Sequence, residues 1–187
     1  FLAEELFAPL AMHDSYFYLP QGKAERLVTL YADVDGEGLI VSQGNESEII
    51  LDSPRYPVEG ARSYFSGGAG LSSTAQDYGR FLQMLLNGGE FDGARILAPA
   101  TVSLMTAPAV DSLYDTPGMA FSLGFEVLRN PGLAGEYGSI GRFGWAGAYG
   151  TTYEVDPADE LVLVFMQQVL PRRGLDLADK FRTMVYA

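Results

Sequence analysis

The spacing of hydrophobic positions changes twice along this 187-residue chain. At the start, Leu2, Leu6 and Phe7 share one face of a helix that Pro9 ends. Phe1 therefore reads as lying inside a helix, with an upstream segment expected before it; no charged leader or cleavage site is visible ahead of it. Residues 33–45, rich in Gly, Asn, Ser and Asp, predict loops around short strands such as Leu39-Ile40-Val41. Tyr78, Phe81, Leu82, Leu85 and Leu86 then recur at helical spacing. Thr74 can cap that helix, with Asp77 three residues on, and Gly88-Gly89 ends it. A second helix is expected from Pro99 through Val102 to Met105.

In the last third the period shortens to two. Met119, Phe121, Leu123, Phe125 and Val127 alternate, which predicts a strand with one buried face. Asn130-Pro131-Gly132 predicts a turn, and residues 143–149 and 151–155 read as extended. Asp156-Pro157-Ala158-Asp159 is a tight turn, so the strands on either side of it are antiparallel. Residues 161–166 form an unbroken apolar run, the pattern of a strand buried on both faces. A last helix is expected at 175–186, with Leu177, Phe181 and Val185 on one face. The class is mixed α/β (α+β): a helical and loop region at 1–117, then an antiparallel sheet with a C-terminal helix at 118–187.

Composition narrows the chemistry. Hydrophobic residues are 48% and charged residues 19%, which is the make-up of a folded domain. Twelve basic against 24 acidic residues give a net charge of −12. That balance argues against a nucleic-acid partner and against an anionic membrane surface. The longest apolar run is far shorter than the roughly 20 residues of a membrane span. With no cysteine and one histidine, thiol nucleophiles, Cys-ligated zinc and multi-histidine metal sites are excluded. Asp33, Asp35 and Glu37 around Gly36 suggest a calcium loop, but its twelfth position is Gly44, and a solvated turn fits better. No metal or organic cofactor is implied, and the compartment is left open. His13 beside Asp14 reads as a loop histidine rather than part of a triad, and no Gly-x-Ser-x-Gly elbow occurs.

Three stretches together resemble the serine β-lactamase-like family: class C β-lactamases, penicillin-binding-protein-like esterases and related D-peptidases. The first runs from Leu6-Phe7-Ala8-Pro9-Leu10 through Met12-His13-Asp14-Ser15, with Ala11 in the place of the usual glycine. The second is Gly67-Gly68-Ala69-Gly70-Leu71-Ser72-Ser73-Thr74-Ala75-Gln76-Asp77 and its helix. The third is Phe143-Gly144-Trp145-Ala146-Gly147-Ala148-Tyr149-Gly150, followed by Asp156-Pro157 and the apolar strand. Their order and spacing imply the C-terminal half of such an enzyme, with part of a β-lactamase/transpeptidase-like fold.

The family's chemistry rests on Ser-x-x-Lys and Tyr-x-Asn. Pro20 stands three residues before Lys23 and Leu177 three before Lys180, so the first motif is absent. Gln43, Leu85 and Leu128 stand two residues before the three asparagines, so the second is absent too. Tyr31-Ala32-Asp33 imitates it on the wrong side of the Pro9-Leu10 segment. No catalytic side chain is expected in this chain.

The resemblance places Trp145-Ala146-Gly147 at the family's third motif, where esterase-like members carry Trp-x-Gly in place of Lys-Thr-Gly. It implies that the amide of Ala148 donates to the oxyanion, that glycine allows close approach to substrate, and that Trp145 favours neutral esters over carboxylate-bearing lactams. Tyr149 and the loop of Ser66, Gly67 and Gly68 are implied as further pocket walls, with sheet packing an equal reading of Tyr149 and a plain glycine turn an equal reading of the loop. The implied parent is a carboxylesterase-like serine hydrolase acting on a small-molecule ester or lactam. The alternative is a non-catalytic stand-alone domain. In either case the expected partner is a second copy or a complementary N-terminal half, because half-covered apolar surface seeks cover.

Overall fold

The computed structural model describes residues 1–44, 53–60, 62–110, 116–172 and 174–187. Asn45, the end of the expected loop stretch, lies outside them. A single helical turn at Ala3–Phe7 opens the chain, and the amides of Ala8 and Met12 reach five residues back to close it. Strands β1 (Tyr31–Val34) and β2 (Gly38–Val41) form a hairpin in the region where loops around short strands were expected. A short helix α1 (Tyr56–Glu59) follows, then α2 (Ala75–Leu86). Thr74 caps α2 as predicted, its hydroxyl accepting from the Asp77 amide at 3.1 Å. Gly88 and Gly89, both at positive φ, carry the chain out of it.

A small hairpin of β3 (Glu90–Phe91) and β4 (Ala94–Arg95) leads to α3 (Pro99–Thr106), which starts on proline as expected. The remaining strands are β5 (Met119–Phe121), β6 (Glu126–Leu128), β7 (Phe143–Ala146), β8 (Thr152–Asp156) and β9 (Leu161–Phe165). They form one antiparallel sheet in that order, with α4 (Pro131–Ala134) between β6 and β7 and α5 (Leu177–Tyr186) at the end.

Strand alternation sorts two kinds of residue onto two faces. Phe143, Tyr153 and Val155 point toward α2 and share a core with Phe125, Val127, Leu82, Met84 and Leu85. Phe7, Leu10 and Met12 join the same core, so the first residues of the chain pack with the sheet. Tyr78 of α2 stacks against Tyr153 at 5.0 Å between ring centroids. On the other face, Glu154 and Asp156 point toward α5, where they meet Arg182 and Tyr186. No helix of the described residues is long and apolar enough to cross a membrane.

Four local expectations need correction. The alternating run from Met119 to Val127 is a hairpin of β5 and β6, not one strand. Gly124 takes φ +92°, and the Ser122 hydroxyl is tied to the carbonyls of Met105 and Ala107 at 2.6 and 2.5 Å. Asn130-Pro131-Gly132 begins helix α4, because the Asn130 side chain accepts from the Leu133 amide. Extended structure at 143–149 ends at Ala146, and residues 147–150 make a turn closed by the Gly150 amide on the Gly147 carbonyl. The apolar run at 161–166 is covered on both faces, Val162 and Val164 against the α2 core and Phe165 against Phe181 of α5, but the burial is only partial: Leu163 alone is fully buried in a strand that ends the sheet.

Candidate active site

Strand β7 is built of two unlike halves. Phe143 and Gly144 pair with β6 on one side and β8 on the other. Trp145 and Ala146 pair with β8 alone, because β6 begins at Glu126, opposite Gly144. Among the described residues the strand thus runs past its neighbour and leaves one backbone edge unpaired. The register depends on Gly144. A Cβ there would lie 2.2 Å from the Tyr153 carbonyl oxygen, so no other residue fits this close strand crossing.

At the end of β7 the chain turns back through Gly147, Ala148, Tyr149 and Gly150. The demand on Gly147 is internal: a Cβ would sit 2.4 Å from Thr151 Oγ1, and its own amide donates to the Thr151 carbonyl at 2.8 Å. Ala148 follows, exposed at the apex, and its amide donates to nothing among the described residues. The Tyr149 carbonyl accepts from the Val169 amide at 2.9 Å, which anchors the far side of the turn. Residues 145–149 are thus one continuous stretch, in which the Ala148 amide has no partner among the described residues.

Trp145 is 43% exposed, and its ring stands edge-on to Phe121 with centroids 5.0 Å apart. Phe121 is in turn held by backbone bonds to Val110 in both directions. Alternation placed Phe121 in a strand, but nothing local in the sequence pairs it with Trp145, 24 residues on.

The loop of Ser66, Gly67 and Gly68 is held by contacts of its own. Ser66 Oγ accepts from the Gly68 amide at 3.2 Å, and Phe65 stacks on Phe17 and Tyr18. Among the described residues, no hydrogen bond, ion pair or ring contact joins this loop to Trp145. The Pro9–Ser15 stretch has a plain structural role: the Asp14 amide and Ser15 hydroxyl both donate to Asp77, buried at the start of α2. Arg26 and Lys23 hydrogen-bond to the Asp14 carboxylate and hold its pKa well below the usual range.

Behind β7, on the α5 face, a cavity of about 290 Å³ opens over Gly144 and Ala146. Its walls mix charged side chains with Met119, Trp145 and Tyr153. Arg142, 3% exposed, bonds to Glu154 at 2.9 Å, to the Tyr137 carbonyl at 2.6 Å and to Glu136. Arg182 reaches Glu154 from α5 at 2.6 Å. Burial works against the Arg182 charge, but the surrounding carboxylates outweigh it and raise its pKa. Two carboxylates are thus shared by two guanidiniums, a closed ion network that braces β7 from behind. Its members come from three separate segments, so no spacing in the sequence announces it.

The protein-family model described as Beta-lactamase matches residues 1–184. The chain belongs to this family. Among curated proteins, Protein Rv1367c of Mycobacterium tuberculosis is 31% identical over 187 residues, covering 94% of this chain and 44% of that protein. Among solved structures, EstCE1, described as a hydrolase with promiscuous acyltransferase activity, superposes with a TM-score of 0.83 at 28% identity, over 99% of this chain and 49% of EstCE1. Simvastatin synthase from Aspergillus terreus shares the fold, with a TM-score of 0.79 at 24% identity, over 99% of this chain and 48% of the synthase. The chain spans about half the length of the relatives it matches.

Proposed function

We propose that this chain is the oxyanion-side wall of an acyl-transferring serine hydrolase whose nucleophile lies on a complementary segment. The observation that carries the reading is the free end of β7: an unpaired strand edge, an aromatic wall and an unused amide at Ala148, in a chain without a Ser-x-x-Lys pair.

The chemistry assigned to each part is simple. A serine hydroxyl from the complementary segment attacks an ester carbonyl, and its proton passes to a neighbouring base. The carbonyl oxygen gains negative charge and accepts from the Ala148 amide. The tetrahedral species collapses, the alcohol leaves with a proton, and water then frees the carboxylic acid from the acylated serine. Trp145, braced by Phe121, lines the slot with apolar surface. Arg142 and Arg182, the cations that share a cavity with Trp145, are engaged by Glu154 and Glu136, so neutral esters are preferred over carboxylate-bearing lactams. On this reading the chain alone is inert.

The test pairs this chain with a nucleophile-bearing segment of the family and compares p-nitrophenyl butyrate with a chromogenic cephalosporin. Faster turnover of the ester is expected, and Trp145→Lys should shift the ratio at least about tenfold toward the cephalosporin. Equal turnover of both, with no response to Trp145→Lys, would overturn the assignment of Trp145.

A further inference from the structure

Among the described residues, one buried side-chain polar atom has no hydrogen-bond partner: Oε1 of Gln167. Buried acceptors are almost always met, so an exception calls for a cause. Gln167 follows closely on β9 and is only half-buried, so solvent lies within reach of its free torsions. The carboxamide nevertheless keeps its oxygen inside. A steric hold on the rest of the side chain explains that orientation.

The hold is the turn that carries Ala148. Gly150, at the end of that turn, is buried and takes φ +95°. A Cβ there would lie 2.2 Å from Gln167 Nε2, 2.6 Å from Cγ and 2.8 Å from Cδ. The carboxamide is thus wedged into the space that a side chain on residue 150 would need. The Gly150 amide donates to the Gly147 carbonyl at 3.0 Å and closes the turn, while the Val169 amide donates to the Tyr149 carbonyl at 2.9 Å. One short segment, 167–169, therefore supports the turn twice, by a side chain at Gly150 and by backbone at Tyr149. Ala148 stands at the apex, between Gly147 and these two supports.

We propose that Gln167 is a positioning residue for this turn: its carboxamide, wedged against Gly150, sets the height of the turn and with it the direction of the Ala148 amide. The unmet Oε1 is a consequence of the wedge and takes no part in it. A donor displaced by about an ångström is enough to lower a rate roughly a hundredfold. The role of the Ala148 amide rests on the proposed function, whereas the wedge rests on geometry alone.

Two variants of the whole 187-residue chain test this. Gln167→Ala removes the wedge. Gln167→Met keeps an unbranched side chain of similar length and drops the acceptor. In Gln167→Ala the Gly150 amide should exchange at least about tenfold faster and the Ala148 amide resonance should move, with the β8 and β9 amides unchanged. Gln167→Met should restore both readouts. Its urea midpoint should rise above that of the unsubstituted chain, because no buried acceptor is left unmet. With a nucleophile-bearing segment of the family added, Gln167→Ala should lower kcat for p-nitrophenyl butyrate at least about tenfold at unchanged KM, and Gln167→Met should restore it. Unchanged Gly150 exchange in Gln167→Ala, an equal loss in both variants, or faster exchange throughout β8 and β9 would each overturn the wedge. A raised KM at unchanged kcat would overturn the positioning role. If the mixture turns over no ester while the exchange pattern is as expected, the functional reading falls and the wedge stands.

Discussion

Two strands of one sheet leave backbone unpaired, and they do so differently. The end of β7 is short, aromatic on one side and finished by a free amide in a glycine-bounded turn. The edge of β9 runs the whole strand and is apolar throughout. In the proposed function a small carbonyl compound uses the first, oriented by one donor and one aromatic wall. The second is a longer row of amides and carbonyls, bare of the charges and prolines that usually mark an edge. The contrast is between a short aromatic end and a long apolar edge of one sheet.

The largest expected effect comes from removing the support behind β7. Arg142→Ala removes the buried guanidinium that Glu154 and Glu136 share, leaving them Arg182 alone, and should cost about 3 kcal/mol in urea unfolding. A loss below about 1 kcal/mol would mean the network does not brace the strand. Gly144→Ala should cost about 1–3 kcal/mol, because its Cβ collides with the β8 backbone and pushes β7 out of register. If the loss is real but the fluorescence of Trp145 is unchanged, the register does not set the site.

Phe121→Ala removes one partner of the Trp145 pair, and the expected cost is about 0.5–1.5 kcal/mol. Trp145 is the chain's one tryptophan, so a red-shifted emission should report its freed ring. Unchanged emission would show that Phe121 does not hold it.

Alkaline pH should give the most gradual change. Burial against α2 raises the pKa of Tyr153 above its ordinary value near 10, and burial raises Tyr78 likewise. A raised folded-state pKa gives stability that is complete below pH 10 and is lost as pH climbs toward the folded value, because the unfolded chain ionises first. Tyr153→Phe should flatten that decline; an equally steep decline in the variant would place its cause elsewhere.

The fold was legible wherever one local rule decided it. The α2 start at Thr74, its stop at Gly88-Gly89, the antiparallel pair around Asp156 and the α3 start at Pro99 each depend on residues within a few positions. Alternation failed between Met119 and Val127 because a period of two continues through a tight turn unless its glycine is given weight. The apolar run at 161–166 matched a strand covered on every side, yet whether a neighbour is present is not written in the strand itself. At the site, resemblance supplied Trp145 and Ala148. Phe121 and the Arg142–Glu154–Arg182 network arise from packing between distant segments, which no spacing encodes.

The central claim is that this chain holds an oxyanion wall without a nucleophile. Its most direct test is to treat the purified 187-residue chain with a serine-directed phosphonate ester, read intact mass, and follow p-nitrophenyl butyrate in parallel. Unchanged mass and no hydrolysis above buffer are the predicted result. A stoichiometric adduct accompanied by turnover would contradict it, and the labelled serine would mark a nucleophile within this chain.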